Sequence, residues 1–343
     1  MMGETDMPTP FDPLERVLRG ETADIYFARA QSILELESLN PQVTMEVFTN
    51  GGGILCGMKE TLALLSRVLP PDGEVWALSE GDEMAEKEVV LRIKGSYRSF
   101  GLYETAFLGI LAHESGWATA ARRCVEAAGD IPIISFGARH VHPEVAARME
   151  YAALVGGCVA CATPAGAKLA GLEAVGTIPH ALILAFGDTV EASLAFDRHM
   201  PPEVNRIALV DTFKDEAEES LRVAEALGDR LWGVRLDTPP ERGRVTPELV
   251  MEVRARLDQA GYNHVKIVVS GGITPERIRQ FREKGAPVDA FGVGSAISGA
   301  PPIDFTADIK VIDGKPVAKR GRIPGETHNP RLKKADLGTY TKA

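Results

Sequence analysis

Short apolar runs that each stop at a chemically capable residue recur through the second half of this 343-residue chain, and they constrain its fold more than any other feature. Ile131-Pro132-Ile133-Ile134-Ser135-Phe136 runs into Gly137-Ala138-Arg139, and Arg206-Ile207-Ala208-Leu209-Val210 ends at Asp211. Leu231-Trp232-Gly233-Val234 ends at Arg235-Leu236-Asp237. Residues 265–269 end at Ser270-Gly271-Gly272, and Val288-Asp289-Ala290-Phe291 ends at Gly292-Val293-Gly294-Ser295. Parallel strands are covered by helices on both faces and so read as continuous apolar runs. In a barrel of such strands the functional residues gather at the carboxyl ends. The pattern predicts a rim carrying Arg139, Asp211, Arg235, Asp237, Ser270 and a Gly-x-Gly-Ser turn, suited to an anionic, phosphorylated ligand.

Between the runs, helical apolar spacing at 144–155, 215–227, 247–259 and 275–284 gives the alternation of βαβ units. Strands are also expected at Gly157-Cys158-Val159-Ala160 and near 177–184, making about seven strands and an α/β barrel, closed or incomplete. Upstream, residues 22–39 have helical spacing. Val43 to Phe48 alternates like a half-exposed strand before Gly51-Gly52-Gly53 breaks the chain, and 74–78 and 89–93 are further strands. Residues 105–128 read as one long helix. The expected division is an α+β sandwich domain over 1–108, the barrel over 109–300, and a basic, β-like tail over 301–343 that returns to the N-terminal sheet. The first fifteen or so residues, rich in Pro and Asp, read as an irregular lead-in.

A net charge of −10 excludes a broad nucleic-acid footprint, so an anionic ligand needs a local basic pocket. No apolar stretch approaches bilayer length, and the acidic N-terminus does not suit a signal peptide. Four Cys make no disulfide framework in a chain this long, so the expected address is the cytoplasm. Cys158-x-x-Cys161 has no second ligand pair and reads as two small buried residues rather than a zinc site.

Each motif has a plain structural reading beside its functional one. Gly292-x-Gly294-Ser295 is either a tight turn or a cradle of backbone N–H groups for a phosphate, and Ser270-Gly271-Gly272 on the preceding strand favours the cradle. Arg235-x-Asp237 is an internal ion pair or a pair of charges on one side of a strand end. Phe136 offers a flat ring and Arg139 a fork for a carboxylate or phosphate. His140 and His142 are capping or core residues unless they ligate. His180, after Gly176-Thr177, is structural or functional with equal weight.

Together these motifs resemble the nicotinate phosphoribosyltransferases, within the wider group that includes the quinolinate and nicotinamide enzymes. The resemblance runs from Thr22 to about Arg322 and rests on Ala23-Asp24-Ile25-Tyr26-Phe27, Phe136-Gly-Ala-Arg139, Gly176-Thr177-x-x-His180, Asp211-Thr212, Arg235-x-Asp237, Ser270-Gly271-Gly272 and Phe291-Gly292-Val293-Gly294, in that order. It implies an α/β fold: an N-terminal open-faced α/β sandwich followed by an irregular, six- or seven-stranded α/β barrel.

The resemblance also implies roles. Phe136 would stack on one face of a pyridine ring, and Tyr26 would cover the other from a neighbouring subunit of a homodimer or larger homo-oligomer with shared sites. Arg139 would lie beside the pyridine. His180 would be phosphorylated by ATP as co-substrate. Asp237 would sit near the ribose, with Arg235 as neighbouring cation, and Asp211 would orient groups around His180. Asp211 and Asp237 would hold Mg²⁺. Gly292, Gly294 and Ser295 would bind the 5′-phosphate, Ser270, Gly271 and Gly272 would contact substrate, and Lys319 and Arg322 would reach phosphates from the tail. Thr163 occupies the stretch Cys161-Ala162-Thr163-Pro164, which carries no acid and so suits nicotinate over its amide. The implied reaction joins nicotinate and phosphoribosyl pyrophosphate into nicotinate mononucleotide and pyrophosphate, for NAD synthesis. The alternatives are a decarboxylating quinolinate phosphoribosyltransferase and a non-catalytic ligand-binding relative. The costly charges retained on the rim argue against the latter.

Overall fold

The structure, a computed structural model, describes residues 11–340, so most of the expected lead-in and the last three residues lie outside the described residues. The chain divides into two compact units, one running to Thr119 and resuming at Pro301, the other spanning Ala120–Ala300. No helix among the described residues is long and apolar enough to cross a membrane.

In the first unit, helix α1 (Ile25–Leu36) leads to strand β1 (Gln42–Thr49), helix α2 (Met58–Val68), and strands β2 (Glu74–Ala77) and β3 (Val89–Ser96). Helix α3 (Glu104–Ala128) follows, and the division between units falls within it. β1 and β3 pair antiparallel, as do β3 and β2. The core beneath this sheet includes Met45, Val47, Leu62, Leu65, Leu91, Ile93, Phe100 and Phe107. β1 differs from the half-exposed strand read from its alternation. Thr44 and Glu46, on the polar face, are buried as well. Glu46 accepts from Arg92 Nη2 at 2.7 Å and from the backbone of Thr327 at 3.0 Å, so the returning tail covers a face that a free-standing strand would show to water. A paired guanidinium is what makes burying that carboxylate tolerable.

In the second unit, strands and helices alternate: β4 (Ile133–Ser135), α4 (Pro143–Val155), β5 (Ala160–Cys161), α5 (Pro164–Leu169), α6 (His180–Phe186), α7 (Thr189–His199), β6 (Arg206–Leu209), α8 (Glu216–Leu227), β7 (Leu231–Leu236), α9 (Pro247–Gln259), β8 (Lys266–Val269), α10 (Pro275–Glu283), β9 (Ala290–Val293) and the short α11 (Ser295–Ser298). The strand order is β5-β4-β9-β8-β7-β6, and each neighbouring pair is parallel. The last strand thus pairs with the first, Phe291 beside Ile133, and curls the sheet into a six-stranded half-barrel that stays open between β5 and β6.

The opening lies where a strand was expected. Residues 172–179 are irregular and 180–186 are helical. His180-Ala181-Leu182-Ile183-Leu184-Ala185-Phe186 is rich in Ala and Leu, good helix formers, and Pro179 stands at its N-cap with Gly187 closing it in the left-handed conformation. The apolar run suits a strand only if its composition is ignored.

The tail strands belong to the first unit. β10 (Phe305–Ile312) pairs antiparallel with β1, β11 (Lys315–Pro316) pairs with β10, and β12 (Lys333–Lys334) pairs with β2.

Candidate functional site

The carboxyl ends of β4, β7, β8 and β9 meet around a pocket of about 190 Å³. Phe136, Arg139, Arg235, Asp237, Ser270, Gly271, Gly272, Gly292, Gly294 and Ser295 line it, joined by His140 and Ile273. A larger cleft of about 500 Å³ lies at the opposite strand ends, but the Arg206 head group there is spent on backbone carbonyls and Asp197.

Arg235 organises the pocket. Its Nε donates to Ser270 Oγ at 2.8 Å, Nη2 to Asp237 Oδ2 at 3.0 Å and Nη1 to Thr177 Oγ1 at 3.3 Å. Ser270 Oγ donates to Asp237 Oδ1 at 2.8 Å. Both Asp237 oxygens are therefore held, and its carboxylate is fixed in place before any ligand arrives. The Arg235 guanidinium also lies 5.0 Å from the centroid of the Phe136 ring. The ring in turn packs against backbone: a Cβ on Gly292 would come within 2.2 Å of Phe136 Cε2.

His180 Nε2 lies 2.9 Å from Asp211 Oδ2. Burial pushes the Asp211 carboxyl up from its ordinary value, while the hydrogen bond to His180 pulls it down. Asp211 Oδ1 and the adjacent Thr212 Oγ1 are buried without a hydrogen-bond partner among the described residues. Thr177, three residues before His180, ties this pair to the pocket through Arg235.

The two histidines after Phe136 separate. His142 is an N-cap that accepts from Glu144 N–H at 3.2 Å. His140 lines the pocket, with Nδ1 3.2 Å from Ser298 Oγ. Cys158 and Cys161 are buried, and burial pushes both thiols up, Cys161 to about 12. The stretch Cys161-Ala162-Thr163-Pro164 has an acidic neighbour from another element. It has no acid of its own, but the buried Glu150 reaches it from α4, accepting from Ala162 N–H (3.0 Å), Thr163 N–H (2.7 Å) and Thr163 Oγ1 (2.5 Å). Thr163 also caps α5 and is not among the pocket lining.

Tyr26, Lys319 and Arg322 lie in the other unit. Tyr26 is 58% exposed, and its hydroxyl donates to Asp24. Arg322 pairs with Asp308 at 3.0 Å and lies over Phe48. Lys319 lines a cleft with Glu104 and Asp308.

Sequence reasoning passed over Ile273, Arg244 and Arg277. Arg277 donates to the carbonyls of Gly271 (2.9 Å), Gly272 (3.2 Å) and Val245, pinning the turn after β8. Nothing in its local sequence announces this. A non-glycine residue with positive φ, Arg244 at 65°, follows Gly243, and that Gly-Arg pair after a strand end was the available signal.

The described quinolinate phosphoribosyl transferase C-terminal domain matches residues 117–308, and the corresponding N-terminal domain matches 24–115. A nicotinate phosphoribosyltransferase of Mycobacterium tuberculosis is 32% identical over 282 residues, covering 79% of this chain and 61% of that protein. A human nicotinate-nucleotide pyrophosphorylase, carboxylating, is 28% identical over 252 residues, covering 71% of this chain and 75% of that one. The solved nicotinate-nucleotide pyrophosphorylase of Pyrococcus furiosus is 44% identical, with a TM-score of 0.85 over 95% of this chain and 82% of that chain.

Proposed function

The chain belongs to the quinolinate phosphoribosyl transferase family, and on that premise we propose that it moves phosphoribose from phosphoribosyl pyrophosphate to the ring nitrogen of nicotinate. The products are nicotinate mononucleotide and pyrophosphate, in NAD synthesis. One observation carries this reading: Arg235 and Ser270 fix the Asp237 carboxylate in the same pocket as an aromatic ring, an open arginine and two glycine turns.

The C1–O bond to pyrophosphate breaks as the C1–N bond to the pyridine forms, and positive charge grows on the ribose between them. Asp237, already oriented, stabilises that charge without reorganising. Phe136 supplies a stacking surface that aligns the ring nitrogen with C1. The N–H groups of Gly271, Gly272 and Gly294 have no acceptor among the described residues and suit the 5′-phosphate. Asp211 Oδ1, buried without a hydrogen-bond partner among the described residues, would be the oxygen to hold Mg²⁺, which would neutralise the leaving pyrophosphate, whereas both oxygens of Asp237 already accept hydrogen bonds.

Nicotinate is favoured over quinolinate by the count of cations. Of the two arginines lining the pocket, Arg235 is committed to Asp237 and Arg139 has no side-chain partner among the described residues, which matches one carboxylate. The quinolinate reading is kept because the family and the carboxylating human relative support it. ATP coupling runs through His180. With Nε2 bonded to Asp211, Nδ1 is the nitrogen free to take the γ-phosphoryl group, releasing ADP. Tyr26 and the exposed Ile25, Ile33 and Leu36 on α1 support a homo-oligomer, with Tyr26, Lys319 and Arg322 serving a neighbour's site.

The test is a turnover assay with each acid, reading CO₂ as well as nucleotide. Nucleotide from nicotinate, with little CO₂ from quinolinate, supports the reading. CO₂ and nucleotide from quinolinate alone would replace it with the decarboxylating one.

A further inference from the structure

The turn after β8 is built around an arginine that no motif calls for. Gly271 and Gly272 both have positive φ, 86° and 65°, and Arg277 donates to both of their carbonyls. Neither N–H has an acceptor among the described residues. Two open backbone N–H groups on a turn that lines the pocket suit an anion.

Arg244 stands against this turn. A Cβ on Gly272 would lie 2.1 Å from Arg244 Nη1, so the glycine is needed for the guanidinium as well as for its own φ. Arg244 is half-buried, and no hydrogen bond or ion pair to its side chain exists among the described residues. Its charged neighbour is another guanidinium, Arg277, whose pKa is lowered by burial and then by Arg244. Neighbouring guanidiniums repel each other, and a bound anion would relieve that repulsion.

The backbone of Arg244 is also unusual, with φ of 65° for a long side chain. That conformation is strained for any residue other than glycine. The loop has Gly243 next door, yet the left-handed position at 244 itself holds arginine.

We propose that Arg244 is a phosphate-contacting residue, supplying the side-chain charge for a sugar phosphate seated on the Gly271-Gly272 turn. This deepens the phosphoribosyl reading and rests on it. Arg277 remains the positioning residue, its donors spent on the carbonyls that shape the turn. Arg244 brings the guanidinium that meets the phosphate, and the strain at its backbone keeps the side chain where the ligand needs it.

The experiment uses the full chain with ribose 5-phosphate as probe and ribose as control, read by calorimetry, together with Tm. Arg244→Gly removes the guanidinium and relieves the backbone. It should weaken ribose 5-phosphate by about ten- to hundredfold while leaving Tm within about 3 °C of wild type or above it. Arg244→Lys, which keeps a charge without the fork, should fall between the two. The proposal is overturned if Arg244→Gly binds ribose 5-phosphate as wild type does. It is also overturned if Tm drops with the affinity in Arg244→Gly, since that marks a structural arginine. Wild-type protein that binds no ribose 5-phosphate would remove the phosphoribosyl reading itself, and the proposal with it.

Discussion

The ring of Phe136 occupies the space where a side chain on Gly292 would begin, its Cε2 only 2.2 Å from the position of that missing Cβ. The backbone at Gly292 lies in an ordinary strand, so the demand for glycine there comes from the ring and not from φ. Gly292→Ala should therefore displace Phe136 and cost about 1–3 kcal/mol of stability from overpacking. Phe136→Leu in that background should recover much of the lost stability but not nicotinate affinity. Denaturant titration and a binding isotherm on the two variants check this; a stable Gly292→Ala with unchanged affinity would show that the ring moves freely.

Asp237→Asn should lower turnover by about a hundredfold or more with a small change in apparent nicotinate affinity. In the proposed reaction the carboxylate would face charge that exists only in the transition state, so its loss should fall on kcat. Ser270 and Arg235 still hold the amide close to the original position, so a folding defect is not expected. Steady-state kinetics decide it, and wild-type kcat in the variant would remove Asp237 from the chemistry.

His180→Ala should abolish an acid-labile, base-stable label from γ-labelled ATP while retaining slow, ATP-independent transfer. Asp211→Asn should reduce labelling without eliminating it, because the imidazole remains but loses the carboxylate that orients Nε2. Absence of label on wild type would leave the His180–Asp211 pair without a phosphoryl role.

Glu104 predicts a pH effect in the other unit. Burial, and then the Asp308 carboxylate, push its carboxyl up from 4.5 to about 7. A raised carboxyl favours the protonated folded form, so stability is full below about pH 4.5 and is lost as pH rises toward 7. Glu104→Gln should leave stability at pH 4 nearly unchanged and raise it at pH 8. The gain should be about 1–3 kcal/mol, discounted for the solvent that still reaches the group. Equal stability of both proteins at pH 8 would show that Asp308 and burial exert no net penalty.

The rim was legible because buried parallel strands carry their apolar signal continuously and stop at the residues that line the pocket. Phe136, Asp237, Ser270 and Gly294 all follow such runs and meet in one pocket. What escaped depends on neighbours distant in sequence. Glu46 looked solvent-facing until the tail brought Thr327 over it. Glu150, inside the helix expected at 144–155, accepts from the amides of Ala162 and Thr163, which nothing in its local sequence announces. Arg277 serves carbonyls on two other segments. Residues 177–184 misled because an apolar run of that length suits a strand or a buried helix, and only its Ala and Leu content separates them.

The most direct measurement puts nicotinate, nicotinamide and quinolinate together at equal concentration with phosphoribosyl pyrophosphate, Mg²⁺ and ATP, and follows all three by mass spectrometry. The account predicts loss of nicotinate matched by nicotinate mononucleotide and pyrophosphate, with the other two pyridines largely untouched. Consumption of quinolinate in preference to nicotinate, or no nucleotide from any of the three, would contradict it.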